Sequence, residues 1–398
     1  MNKVNLVFDF SNIAMRALFT CSYASGGGVS TFDTDEECAV LIRKIAMDMS
    51  YVMRIFMPDR VIIAYDSRHP WRNSLYDQIE NESYKGNRQK DTTKNWNKIF
   101  ETLNDYKKIL EHKGFVISEI PTAEADDLAA LWKEESYKNG DSIILISSDK
   151  DWTQLVDFTS SDKFCFCFNP IASNKGLKKL YITEDAKNWL YNNEEAKTDI
   201  FFSNYNSYKE TLRNVKTRDT KIDYEVINPN IVALEKIMCG DDGDNAPTIY
   251  EYYKNGKKVR MTPSRSKKIY EELNISTVKD LCEAAEAGAL LPALEKNFKK
   301  TIDDIDMEER VLRQRKLVEL NPEMFPSDII STFEYHKKDI NKFAVQNMTS
   351  IKLDDILKDT KYIDEKYNKN KKAKENSIFD NLKDLEKYIN VAPSASLF

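Results

Sequence analysis

Histidine is scarce in this chain, with three in 398 residues, and that makes a histidine-rich metal centre a poor reading. Cysteine is little commoner. Its six thiols (Cys21, Cys38, Cys165, Cys167, Cys239 and Cys282) are scattered, which excludes a disulfide-built scaffold. Only Cys165 and Cys167 are close together, and their spacing falls inside an apolar, strand-like run unlike a zinc knuckle. Reduced core thiols are the reading. No run approaches the roughly 18 apolar residues of a membrane span, so no membrane is expected. The first residues, MNKVNLVFDF, enter a strand directly without a signal-peptide pattern, so a cytoplasmic location is expected.

Hydrophobic residues make up 41% and aromatic residues 11%, as in an ordinary globular protein. The length allows a large core. The net charge of −6 argues against nucleic-acid binding, but that average misleads, because the basic residues are clustered. Residues 252–268 hold Lys254, Lys257, Lys258, Arg260, Arg265, Lys267 and Lys268 with no acid among them. A stripe of that density can bind phosphates whatever the global sum.

The central stretch is ILISSDKDW. Its apolar start, Ile143 to Ile146, reads as a buried parallel strand, and Asp149 and Asp151 follow at its carboxyl end. The pattern recurs. VNLVFDF ends in Asp9, RVIIAYDS in Asp66, and FVISEIPTAEADD in Glu124, Asp126 and Asp127. The carboxyl edge of such a sheet is where ligands bind.

Taken in order, the spacing predicts helices from Ser11 or Asn12, over 36–57, 95–113 and 124–137. Strands are expected at 4–9, 60–65, 115–120 and 142–148. The β-α alternation predicts an α/β fold, a mostly parallel central sheet flanked by helices. Residues 22–31 read as a flexible loop. Residues 67–94 lack core periodicity and read as a functional lid or a disordered loop. After Asp151 a short helix and two edge strands, KFCFCFNP and LKKLYI, are expected. The chain then divides into the α/β unit 1–183, an accessory insertion 184–225, a helical region 226–345 and a charged tail 346–398.

Glu124 and Asp127 fall at i and i+3 on a helix's first turn, and Asp241 and Asp244 in GDDGDN have the same spacing. So many unpaired carboxylates cannot all ionise in a small space, because each raises the others' pKa. Divalent cations resolve this. Hard oxygen ligands in this number suit Mg²⁺ or Mn²⁺, and a pair of ions suits in-line attack on a phosphodiester. Taken singly, each acid has a plainer reading as a turn residue or a helix-end charge. The glycine of GDDGDN lies in the wrong place for an EF-hand loop.

At these residues the chain resembles the structure-specific 5′ nuclease family of flap endonucleases and phage 5′→3′ exonucleases. Within it, the chain is similar to the ribonuclease H branch of the T-even phages. VFDFSN, YKGNR (84–88), AEADD, SSDKDWTQL and GDDGDN carry the resemblance, in the family's order, over roughly 3–345. It implies a PIN-like fold with a helical DNA-binding region, and two Mg²⁺ ions for which Mn²⁺ substitutes. Asp9, Asp66, Glu124, Asp126, Asp127 and Asp149 would surround the first ion, and Asp151, Asp241 and Asp244 would serve the second. Residues 67–94 would form the family's arch. There Lys85 and Arg88 would reach the scissile phosphate, and Tyr84 would stack on an unpaired base.

The same resemblance implies ribonuclease H and flap activity in DNA replication, in host cytoplasm if phage-encoded. The partners it implies are branched, flapped or nicked duplex DNA, RNA–DNA hybrid, a sliding clamp and a single-stranded DNA-binding protein, with the enzyme a monomer. Leu397 and Phe398 resemble a clamp-docking tail, for which a frayed terminus is the alternative. The chain departs from many members after GDDGDN. The paired glycines of a helix–hairpin–helix are missing, which puts its potassium site in doubt, although Thr262-Pro263-Ser264 resembles a helix start. Two competing functions are a PIN-like ribonuclease and a non-catalytic junction binder. A haloacid-dehalogenase-type phosphatase is excluded, because Ser11 stands where its second aspartate would be.

Overall fold

In the computed structural model the described residues are 3–24, 30–56, 58–76, 83–86, 91–171, 178–192, 222–302 and 305–340. Strand β1 (Val4–Asp9) is buried almost throughout, because it hydrogen-bonds on both sides and is covered on both faces. It pairs in parallel with β2 (Arg60–Ala64) and β4 (Ser142–Ile146). Beyond β2 lies β3 (Val116–Ser118). Beyond β4 lie β6 (Lys163–Asn169), β7 (Lys178–Ile182) and β8 (Ile222–Val226), with β5 (Asp157–Ser160) pairing antiparallel to β6. All neighbours from β3 to β6 are parallel, and the β6–β7 pair is antiparallel.

The chain builds β1, β2 and β3 in one direction and then crosses to lay β4 on the other side of β1. That reversal opens a crevice at the carboxyl ends of β1 and β4, where α/β sheets bind ligands. Helix α1 (Phe10–Ala24) leaves β1 directly, and α2 (Asp35–Phe56) packs beside it. α3 is the short turn Asn73–Tyr76, and α4 (Trp96–His112) lies against α2. α5 (Ala125–Lys138) lies across β1, β2 and β4. α6 (Glu184–Asn192) follows β7.

A second core joins α7 (Pro229–Cys239), α8 (Pro263–Leu273), α9 (Val278–Glu286), α10 (Leu290–Phe298) and α11 (Met307–Val318). Leu234, Ile237, Ile269, Leu281, Leu294 and Val311 fill it. α7 rests on the 3-10 helix Lys150–Leu155 that follows β4, and so brings this unit to the sheet's carboxyl edge.

Four readings of the sequence need correction. β6 is internal rather than an edge strand, since it pairs with β4, β5 and β7. Residues 222–226, assigned to an accessory insertion, extend the main sheet as β8. Residues 251–260 form an antiparallel hairpin, β9 (Glu251–Lys254) and β10 (Lys257–Arg260), inside the region expected to be helical. The last helix, α12 (Ser327–Ile340), packs on the core of the large sheet, where Phe333 meets the Trp132 ring 5.2 Å away. Among the described residues no helix is long and apolar enough to cross a membrane.

Candidate active site at the carboxyl edge

Backbone register sets the acids level. Asp9 is paired with Ala64, two residues before Asp66, and Phe8 with Ile146, three before Asp149. Asp126 lies in the first turn of α5, whose N-terminus is held to the same edge by Ala125 N–H donating to Asp66 Oδ1 at 2.8 Å. Asp9 accepts from Asn12 N–H at 2.9 Å and from the Ser147 hydroxyl at 2.8 Å. Asp149 accepts from Asp151 N–H, and Asp126 from the Trp152 indole at 2.5 Å. Asp66, Asp126 and Asp149 each hydrogen-bond through one oxygen only, among the described residues.

The electrostatics follow from that crowding. Burial pushes the Asp9 carboxyl up to about 7, and Asp66 and Asp149 add to the push. Burial, with Asp149, Asp9, Glu124 and Asp66 repelling, also raises Asp126 well above the carboxylate range. Among the described residues none of Asp9, Asp66, Asp126 and Asp149 is ion-paired with Lys or Arg. Hard oxygen donors with unsatisfied negative charge fit divalent cations. As the side chains stand, no three His, Cys, Asp or Glu groups among the described residues are drawn together closely enough to hold an ion. Each acid is turned instead to a nearby protein donor.

Two of the expected ligands differ from these four. Glu124 and Asp127 form a capping box at the start of α5, and Arg72 clamps both, at 3.0 and 2.8 Å. Both Asp127 oxygens are committed, one to Arg72 and the other to the Trp71 indole and Glu124 N–H. Asp127 is therefore a structural carboxylate set apart from the open acids. Burial alone would raise Glu124, but Arg72 and Lys85 outweigh it and hold the group below its ordinary value.

The second set gathers around a cation. Lys236 of α7 reaches Asp151 at 2.6 Å and also pairs with Asp241. Burial still lifts Asp151 to about 7, against the pull of Lys236. The GDDGDN stretch is a loop rather than a helix turn, closed by an Asp241–Ala246 bridge. Gly240 makes the loop possible: its φ is +69°, and a Cβ there would stand 2.3 Å from Ala246 O. Asp244 faces the other way, toward the YKGNR segment. Tyr84 Oη donates to Glu124 at 2.7 Å and to Asp244 at 3.2 Å. Lys85, at φ 55° in the left-handed region, places Nζ 2.5 Å from Glu124 and 3.8 Å from Asp244. Tyr84 therefore packs inward, 5.5 Å from the Tyr76 ring, rather than standing free for a base.

Sequence reading missed Arg72, Lys236, Trp152 and Asn12, because each matters through a partner distant in the chain. Trp71, Arg72 and Tyr76 are buried, so the first part of 67–94 is packed structure rather than an open lid. Arg88, the loop at 25–29, and Leu397 and Phe398 with the rest of 341–398 lie outside the described residues. The basic stripe divides. Lys258 pairs with Glu251 at 2.7 Å and Arg260 with Asp242, whereas Lys254 and Lys257 flank the hairpin tip. Arg265, Lys267 and Lys268 lie on α8. The missed signal was Asn255-Gly256, both at positive φ, the turn favoured by two-residue hairpins.

Residues 5–183 match the family described as "5′-3′ exonuclease, N-terminal resolvase-like domain". This part of the chain is similar to 5′-3′ exonuclease N-terminal domains. Two curated relatives align with it. The 5′-3′ exonuclease of Mycoplasma pneumoniae is 31% identical over 108 residues, covering 27% of this chain and 34% of that protein. DNA polymerase I of Streptococcus pneumoniae is 26% identical over 161 residues, 39% of this chain and 16% of that protein. The matches thus span 34% and 16% of the lengths of these curated relatives.

Among solved structures, the T5 D15 protein co-crystallised with metal ions superposes with a TM-score of 0.54 at 17% identity. That match covers 86% of this chain and 100% of the other. The T5 5′-exonuclease with bound zinc gives 0.53 at 18% identity, with the same coverage. At that identity the likeness is one of fold. It covers more of the chain than residues 5–183 alone.

Proposed function

We propose that this chain is a divalent-metal-dependent 5′ nuclease, a 5′→3′ exonuclease and flap endonuclease that also removes RNA primers by ribonuclease H activity during DNA replication. One observation carries the reading. Asp9, Asp66, Asp126 and Asp149 converge at the topological reversal of an exonuclease-type domain with no cationic partner among the described residues. In this reading they hold one Mg²⁺ together with Glu124, and Asp151, Asp241 and Asp244 serve a second, with Mn²⁺ as substitute. Ions so held supply the Lewis acidity that phosphodiester hydrolysis requires. The metal ions co-crystallised with the T5 D15 protein and the zinc bound to the T5 5′-exonuclease support a metal-dependent activity.

The chain's own residues have distinct parts. Asn12 and Ser147 orient Asp9, and Trp152 orients Asp126, by bonds that would yield as the acids close on an ion. Lys85, with Arg88 beyond it, leaves Glu124 to meet the scissile phosphate and stabilise its developing charge. Tyr84, released with it, stacks on an unpaired base. Lys254, Lys257, Lys258, Arg260, Arg265, Lys267 and Lys268 hold the duplex backbone without reading sequence. The substrates are flapped, nicked or branched duplexes and RNA–DNA hybrids. A sliding clamp docked through Leu397 and Phe398, a single-stranded DNA-binding protein, a monomeric state and a cytoplasmic location complete the proposal.

The test is incubation of a 5′-labelled flapped duplex and a 5′-labelled RNA–DNA hybrid with the protein in Mg²⁺ and in EDTA. Short 5′ products in Mg²⁺ alone support the reading. Binding of both substrates without any product in Mg²⁺ or Mn²⁺ leaves the junction-binder alternative in its place.

A further inference from the structure

The acids are not the only charge cluster near the crevice. On α2, Lys44, Asp48 and Tyr51 fall at i, i+4 and i+7 and share one face. Lys44 Nζ lies 2.6 Å from one Asp48 oxygen, and Arg16 of α1 lies 3.3 Å from the other. Lys178, which opens β7, sets its ammonium 3.4 Å from the centre of the Tyr51 ring. Two cations therefore share one carboxylate, and a third stands beside them on the Tyr51 ring. Lys178 has no carboxylate within ion-pairing distance, and Arg16 Nη1 is buried with no hydrogen-bond partner, among the described residues. Burial, with Arg16 and Lys44 repelling against partial relief from Asp48, draws the Lys178 ammonium down to about 7. Cations gathered from three elements at such a cost usually have an anion to meet.

Its position says which anion. Asn12 and Arg16 are one turn apart on the same face of α1, a rise of about 6 Å. Asn12 Oδ1 accepts from both the N–H and the hydroxyl of Ser148, at 3.2 and 2.8 Å, next to Asp149. The cluster is thus one helical turn from the acid edge. Arg16, Lys44 and Asp48 keep 20%, 23% and 19% of their side-chain surface exposed, enough to reach a phosphate from solvent.

We propose that Arg16, Lys44 and Lys178 form a second nucleic-acid site that holds a backbone phosphate beside the acid edge. It rests on the nuclease reading above. Asp48 spaces the three cations and keeps the site from closing on itself, and Tyr51 supplies the floor on which Lys178 lies. The contact is to phosphate alone, so it adds affinity and register without base preference.

The experiment uses the full chain with Lys44→Gln and Lys178→Gln, singly and together, and with Lys178→Arg. Affinity for a fluorescein-labelled 5′-flapped duplex is measured by anisotropy between 50 and 200 mM salt, with Ca²⁺ replacing Mg²⁺ to keep the substrate intact. Each Gln variant is expected to bind about 3- to 10-fold more weakly, equally for two unrelated base sequences. The slope of log affinity against log salt should fall by about one per contact removed. Lys178→Arg should restore both, which a merely structural role for Lys178 would not require. Unchanged affinity and slope in folded variants overturns the site. So does displacement of the wild-type effect by millimolar inorganic phosphate without loss of duplex binding, which marks a free-anion site instead. A wild type that binds no flapped duplex sinks the nuclease reading itself, a separate outcome. If Lys178→Gln fails to fold, the Lys44→Gln slope decides alone.

Discussion

Lys85 Nζ lies 2.5 Å from Glu124 Oε1, so a side chain expected to touch substrate is bonded to a side chain expected to face metal. With Tyr84 on the same glutamate, Tyr84 and Lys85 are latched together onto the acid edge. The left-handed φ of 55° at Lys85 is strain that the latch helps to hold. Replacing Lys85 with Met should remove a competing cation. We expect Mg²⁺ affinity without nucleic acid to rise severalfold by calorimetry, while flap cleavage falls about 10²- to 10³-fold. Weaker Mg²⁺ binding would mean that Lys85 assists the ion rather than excluding it.

Arg72 is bonded in three directions, with Nε to Leu317 O, Nη1 to Glu124 and Nη2 to Asp127. It ties the start of α5 to the end of α11 and is almost wholly buried. Arg72→Met strands buried carboxylates and should cost about 3–5 kcal/mol, read as a lower denaturant midpoint. Arg72→Lys should rescue little, because an ammonium cannot reproduce the fork. Near-wild-type stability of either variant would mean that this clamp is not what joins the two units.

The correction at Asp127 gives a paired test. Asp127→Asn should lower thermal stability markedly, because it breaks the bond to Arg72, with activity falling only as the fold fails. Asp149→Asn should leave stability unchanged or higher, since it removes a charge from a repelling group. Equal stability losses in the two variants would refute the division between structural and open acids.

Asp9 fixes the sign of a pH effect. Its folded value, about 7, lies above its unfolded value of 3.8. Stability from this group is therefore complete below about 3.8 and is lost as pH rises to about 7. Glu124 and Asp241 are shifted the other way, so their gain is complete in the acid range and does not mask the loss above pH 5. Melting temperature in EDTA should fall between pH 5 and 8, and Mg²⁺ should recover most of the loss. Asp126 and Asp151 are raised as well and add to the fall, so Asp9→Asn should make the EDTA profile shallower without abolishing it; an equally steep profile would assign the effect to the other acids.

The parts of the fold legible in sequence were those with a local cause. Ile143 to Ile146 and Leu6 to Phe8 are buried on both faces, so their strands read as unbroken apolar runs. The acids after them were legible for the same reason, because a strand's end fixes where the next residues stand. β8 was not legible. IDYEV is half exposed, and only its pairing with β7 makes it part of the sheet. α12 shows ordinary amphipathic spacing, and nothing local reveals that Phe333 faces Trp132 rather than the second core. Asp127 read like its neighbours because its role is set by Arg72, 55 residues earlier.

The most direct measurement is single-turnover cleavage of a 5′-labelled flapped duplex in Mg²⁺ by wild type and by Asp149→Asn, with binding measured on the same samples. The account predicts short 5′ products from the wild type, none in EDTA, and a rate lower by about 10³-fold or more in the variant at nearly unchanged affinity. A variant that cleaves at the wild-type rate would contradict the claim that the acids at the carboxyl ends of β1 and β4 carry the chemistry.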